Sequence, residues 1–230
     1  MDIPIALVLE PDFRPNLSYS FLQSAAYFSR MSHKIEIEVT DRSLQLVEYK
    51  ANSTAAVIFA ITAVEAVINE LYTDAVDGIK EAFKNLDPLV SDSMALVWND
   101  FKDKENFFLK FNFVLTLAKK PTFVKGSNPG QDMLTLVSLR NNLIHFKPEW
   151  KSTQDEHKKL EDRLRGKFEL NPYAPDYRPF FPDKCLGHGC AEWAVKTSIA
   201  FLDEFYIRLG KRKYTNFWSA DSKLLKTQWV

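Results

Sequence analysis

The chain reads as a mainly α-helical bundle, and three observations predict it. The first is an alanine-rich, almost uncharged stretch over 52–76, in which Ala55, Ala56, Ala60, Ala63 and Ala66 allow close backbone approach. The second is a succession of shorter segments with helical spacing of apolar residues, punctuated by Pro, Gly and Asn. The third is composition. A little under half of the 230 residues are apolar, enough for a substantial core, and no low-complexity segment or internal repeat dilutes it.

The elements follow in order. Residues 1–16 are expected to be extended, because Pro4, Pro11 and Pro15 break any helix there. A helix is expected over 17–33. Residues 34–40 alternate charged and apolar (Ile35, Ile37, Val39), which suits either a strand or a continuation of that helix. The long helix 52–76 has Asn52 or Ser53 as its cap and Gly78 beyond its end. Helical segments are expected next at 79–86, 90–101 and 105–119. Asn128 then opens a helix, with Pro129 in its first turn and Gln131 in the capping-box position, and Pro148 stops it. A charged amphipathic helix is expected over 152–167, an ordered proline-rich loop over 171–183, and a last long helix over 189–209. A basic and then aromatic tail, 211–230, completes the chain. The expected organisation is one helical domain, 17–210, with one long antiparallel helix pair between the two terminal segments.

Formal net charge is zero, which excludes a general pull toward nucleic acid or anionic lipid. The halves differ, however. Residues 1–118 carry 10 Lys and Arg against 17 Asp and Glu, whereas 119–230 carry 20 against 13. The basic half is the weak pointer to an anionic ligand. The apolar run near Met1 has no basic flank or small-residue cleavage site, and it is far shorter than the roughly 20 residues that span a bilayer. Two cysteines do not make a disulfide scaffold. A cytoplasmic protein without a membrane partner is expected.

The most informative residues are Arg140-Asn141-Asn142-Leu143-Ile144-His145, at the end of the helix 129–146. A fixed cation beside a group that titrates near neutrality suits phosphodiester chemistry without a metal. On a helix Asn141 and His145 share a face, while Arg140 and His145 lie about 140° apart, so they flank a groove that a second helix or a second copy must close. The bland alternative is a helix C-terminal turn, whose cations bond the last carbonyls.

The segment Leu139 to Phe146 resembles the Arg-x4–6-His motif of the HEPN superfamily (higher eukaryotes and prokaryotes nucleotide-binding), in which a polar residue, often Asn, follows the Arg. The helices carrying Glu65 and Asn69, and 190–209, resemble that fold's flanking helices. The resemblance implies a HEPN-type bundle and a metal-independent endoribonuclease with catalytic Arg140 and His145, oriented by Asn141. It also implies RNA as substrate, no cofactor, a homodimer with both motifs at its interface, and a toxin–antitoxin or antiviral setting with a possible antitoxin or defence partner protein. A non-catalytic module of the same fold, binding RNA or protein, is the alternative.

Around this centre, Glu65 sits in the most apolar helix and needs a partner, for which Arg140 is the candidate; a structural pairing elsewhere is the other option. Asn69 lies one turn further on. Lys125, Lys147 and Lys151, with Lys119 and Lys120, flank the motif helix and are candidates to grip a phosphate backbone. Cys185, His188 and Cys190 have poor spacing for zinc and read better as buried groups, with Gly187 and Gly189 shaping entry to the last helix. His33 and His157 read as solvated. The tail residues Lys211, Arg212 and Lys213 precede Tyr214, Phe217 and Trp218, which suit RNA stacking or, more simply, packing on the bundle. No acidic cluster for a metal is visible.

Overall fold

The computed structural model describes residues 14–38, 46–150, 152–153 and 155–229, and for 218–222 the backbone alone. It is mainly helical, with no strand among the described residues. Seven α-helices are described: α1 Ser18–Glu38, α2 Leu46–Val76, α3 Pro88–Phe101, α4 Phe107–Leu117, α5 Gly130–Ile144, α6 Glu156–Leu164 and α7 His188–Arg208. Single turns Lys80–Phe83 and Phe180–Lys184, and a 3₁₀ stretch Tyr214–Leu225, connect or follow them.

α2 is the organising element. It packs along α1 and against α3, α4, α5 and α7. Its small residues make this possible: Ala56, Ala60 and Ala63 are wholly buried, with Val57, Ile61, Val64 and Ile68 between neighbours. By length and composition α2 is apolar enough to cross a bilayer, and half of its most apolar stretch is buried inside the bundle. α4 and α7 bring phenylalanines into the same core, where Phe111 meets Phe201 and Phe205 edge-on at 5.0 and 4.6 Å.

Local chemistry sets the helix ends. α1 is capped in trans. Glu70 of α2 accepts the Leu17 and Ser18 N–H groups, both at 2.8 Å, and the Ser18 hydroxyl at 2.6 Å. Asp87 caps α3 ahead of Pro88, and Asn106 caps α4. At α7, a Cβ on Gly189 would sit 2.4 Å from the Glu169 carbonyl oxygen, so only glycine admits that strand of chain so close.

Several expectations change. α2 starts at Leu46, so Ser53 is no cap. It lies mid-helix, and its hydroxyl bonds Tyr49 O and the Ser32 hydroxyl because it faces α1 rather than solvent. Residues 34–38 continue α1; 39 and 40 lie outside the described residues, as do 1–13 of the expected extended segment. The segment 79–86 makes only the 3₁₀ turn. α5 begins without a side-chain cap: the Gln131 N–H donates to Ser127 O, and the capping box is not formed. The tail is no free appendage. Tyr214 is buried and lies 5.6 Å from the Tyr206 ring. Residues 224–229 run back over α1, where Arg30 donates to Leu224 O and Ser29 to Thr227 O.

Candidate functional site

The motif and its ion pair are built on two helices, α5 and α2. α5 carries the motif, with its apolar face of Met133, Leu136 and Leu139 buried against the bundle. That burial fixes which side of α5 faces α2. Arg140, next to Leu139, therefore reaches back, and its Nη2 donates to Glu65 Oε1 across 75 residues of sequence. The arginine side chain is 19% exposed and the glutamate 38%. Arg140 thus pairs with the partner its sequence context suggested, not with the carbonyls of its own helix end. Its Nε–H is buried and has no acceptor among the described residues.

Asn141 and His145 are on the outside. Both are exposed, and neither side chain hydrogen-bonds another described residue. His145 sits just past the helix, with φ −107° and ψ 43°, while its N–H still bonds Asn141 O at 2.9 Å. The ring is consequently freed from helical geometry, and the 140° splay applies only to its Cα. Asn142, half-buried, donates instead to Ser138 O one turn back on the same helix.

Asn69 does not join the motif. Its Oδ1 accepts from Lys110 Nζ at 3.1 Å, and Lys110 also donates to Lys102 O at 3.0 Å. Lys110 is buried, with its ammonium 5.2 Å from the Trp98 ring centre. Burial draws its pKa down, against the attraction of Asp103, Glu65 and Glu105. Glu65 thus pairs with Arg140 and also attracts the Lys110 ammonium. Lys110 had a visible signal: it is the one charge in the apolar run 107–117.

A second unanticipated group lies beyond the motif. His157 of α6, expected to be solvated, is buried. Its ring stacks on Phe146 at 5.6 Å and 22° and meets Phe181 edge-on at 4.9 Å. Its N–H donates to Glu149 Oε2 at 3.2 Å, with the imidazole Nδ1 3.7 Å from the same oxygen. The turn after His145 is pinned at two points as a result. Even so, Ile144, Phe146 and Trp150 are 50%, 48% and 84% exposed.

The candidate phosphate-gripping lysines are spread out. Lys147 is exposed two residues past His145, whereas Lys125, also exposed, precedes the other end of α5, about 20 Å away along the helix axis. Lys151 lies outside the described residues. Neither of two clefts, of about 420 and 430 Å³, includes a motif residue.

Cys185 and Cys190 are buried thiols whose pKa values burial pushes up, and His188 Nε2 lies 3.2 Å from Thr227 O. No group of three metal-ligating side chains occurs among the described residues.

No protein-family model matches the chain, and neither does any curated protein or solved structure.

Proposed function

We propose that the chain is a metal-independent endoribonuclease of HEPN type. One observation carries the reading: an exposed imidazole with no hydrogen bond to the described residues stands at the end of a helix whose neighbouring arginine is held by a carboxylate from another helix. A helix-end role for His145 would consume the ring on local carbonyls. A ring left open to solvent suits proton transfer.

The chemistry follows from those groups. The 2′-hydroxyl oxygen of the substrate attacks the adjacent phosphorus, and His145 takes its proton. The bond from phosphorus to the 5′-oxygen breaks, and that oxygen leaves with a proton from an imidazolium. Arg140 offsets the negative charge that builds on the phosphoryl oxygens, with Glu65 fixing the guanidinium plane. Asn141, one turn before His145 on the same helix, would orient the imidazole once substrate is bound. The products are a 2′,3′-cyclic phosphate and a free 5′-hydroxyl. A homodimer brings two motifs together and closes the groove that one chain leaves open. A phage-defence or toxin setting, with an antitoxin or other partner, accords with such an activity. The exposed Ile144 and Phe146 favour, as a second reading, a non-catalytic module of the same fold that binds RNA or protein through this end of α5.

Total cellular RNA incubated with the pure protein in excess chelator tests the activity. Cleavage with cyclic-phosphate ends is the expected result. Intact RNA, or cutting that needs a divalent ion, overturns the endoribonuclease.

A further inference from the structure

Trp150 is the feature that the reaction does not use. At 84% it is the most exposed large apolar side chain among the described residues, and it lies five residues beyond His145. An indole in water is costly, and a flexible loop would let it fold back onto the bundle. Here the loop is held. Phe146 is stacked on His157, and the His157 N–H bonds Glu149, the residue immediately before Trp150. The chain therefore presents this ring outward from an anchored support. Lys147 stands exposed between the two aromatics, and the opposite anchor of the same segment is Arg140.

The geometry points to a stacking subsite: Trp150, with exposed Lys147 three residues before it in the chain, takes an unpaired RNA base next to the phosphate held at Arg140 and His145. This rests on the RNA reading of that site. Five residues span at most about 17 Å even when fully extended, so the stacked base lies within a few nucleotides of the scissile phosphate. An aromatic face accepts any base, but only a base out of its duplex. The substrate class is accordingly single-stranded RNA or an unpaired loop. The exposed positive charge of Lys147 argues for a polyanionic strand on this face, the charge of Arg140 being matched by Glu65, and a second protein copy is the competing occupant.

The test uses the full chain, Trp150→Ala and Trp150→Phe. The probe is a 2′-O-methylated oligonucleotide, which its own 2′-oxygen cannot cut, offered single-stranded or paired with its complement. The wild type is expected to prefer the single strand. Trp150→Ala should weaken single-strand binding about 5- to 100-fold, the range for loss of one stacked base, leave duplex binding unchanged and stay dimeric. Trp150→Phe should retain most of the preference. Equal loss on both probes, no loss, or dissociation of Trp150→Ala into monomers overturns the subsite, the last by showing that the ring belongs to a protein interface. Cleavage of unmodified RNA in chelator is read separately. Stacking without cleavage sinks the endoribonuclease and keeps the subsite; cleavage that ignores both pairing and Trp150 does the reverse.

Discussion

At the scale of the residue, the Glu65–Arg140 pair and the exposed His145 make separable predictions. His145→Ala removes a solvated ring that hydrogen-bonds no described side chain, so stability should change by less than about 0.5 kcal/mol, as for surface substitutions generally. Arg140→Ala leaves Glu65 without that partner, but Glu65 is 38% exposed and water can take it up. The cost should stay near 1 kcal/mol. Both variants should lose RNA cleavage. Denaturant melts beside cleavage assays check this, and a His145→Ala protein that is several kcal/mol less stable would show that the ring is a structural tie. The motif was legible because Arg, Asn and His stand close together in sequence. Glu65 was legible because a carboxylate in an apolar helix must find a cation. Lys110 was signalled as the lone charge of an apolar run, but its partners, like those of His157, were not legible. Each is buried by elements distant in sequence, α2 and α3 for Lys110 and Phe146 with Phe181 for His157, and local pattern carries no record of such packing.

At the scale of the element, residues 224–229 form a strap whose hold is expected to weaken at low pH. His188 Nε2 donates to Thr227 O at 3.2 Å, His33 Nδ1 accepts the Trp229 N–H at 3.0 Å, and Glu192 accepts from Thr227 Oγ1 at 2.7 Å. The charged and titratable neighbours are His33, Lys34 and Glu36 on α1, Tyr49 on α2, and Glu192 and Lys196 on α7, with Lys167 and Glu169 lining the adjoining cleft. Burial holds the His188 pKa below the ordinary imidazole value, and His33 adds to this against Glu36. In Glu192, hydrogen bonds from Thr227 and Lys196 outweigh burial and keep the carboxyl below its ordinary value. Both folded pKa values lie under the unfolded ones. The stability they supply is therefore complete above about pH 6.5 for His188, and it drains away as pH falls through the folded values, with Glu192 following below about pH 4.5. Hydrogen exchange should show amides of 226–229 opening at pH 5 relative to pH 7.5. The His188→Gln variant keeps a donor for Thr227 and should flatten that response; an unchanged pH response in the variant would remove His188 from the account. The strap itself was not legible. The tail's basic and aromatic residues suggested packing on the bundle, but the contacts that hold it are largely to backbone carbonyls and amides, which sequence does not distinguish.

At the scale of the whole molecule, the helical bundle was readable because α2 and α7 are long and apolar; the start of α1 was readable too, whereas α2 begins at Leu46, ahead of the cap residues its sequence offered. The same bundle leaves the motif incomplete. One chain offers one His145, whereas in-line cleavage is helped by a base at the 2′-oxygen and an acid at the leaving oxygen. Neither of two clefts of about 420 and 430 Å³ includes the motif, and exposed Ile144 and Phe146 sit at the end of α5 that carries it. A two-fold axis near that end would cover those apolar side chains and place two imidazoles and two guanidinia on one groove. The protein should therefore be a homodimer through α5 with a single composite site. A purified mixed dimer of wild type and His145→Ala then has one proton-transfer group where the reaction uses two, and its rate should fall well below half that of the wild type. Independent sites would keep half. Sedimentation fixes the oligomeric state, and differential tags on the two subunits isolate the mixed species. A mixed dimer that retains half the rate or more, or an active monomer, means that each chain completes the reaction with its own groups, and the shared groove has to be abandoned.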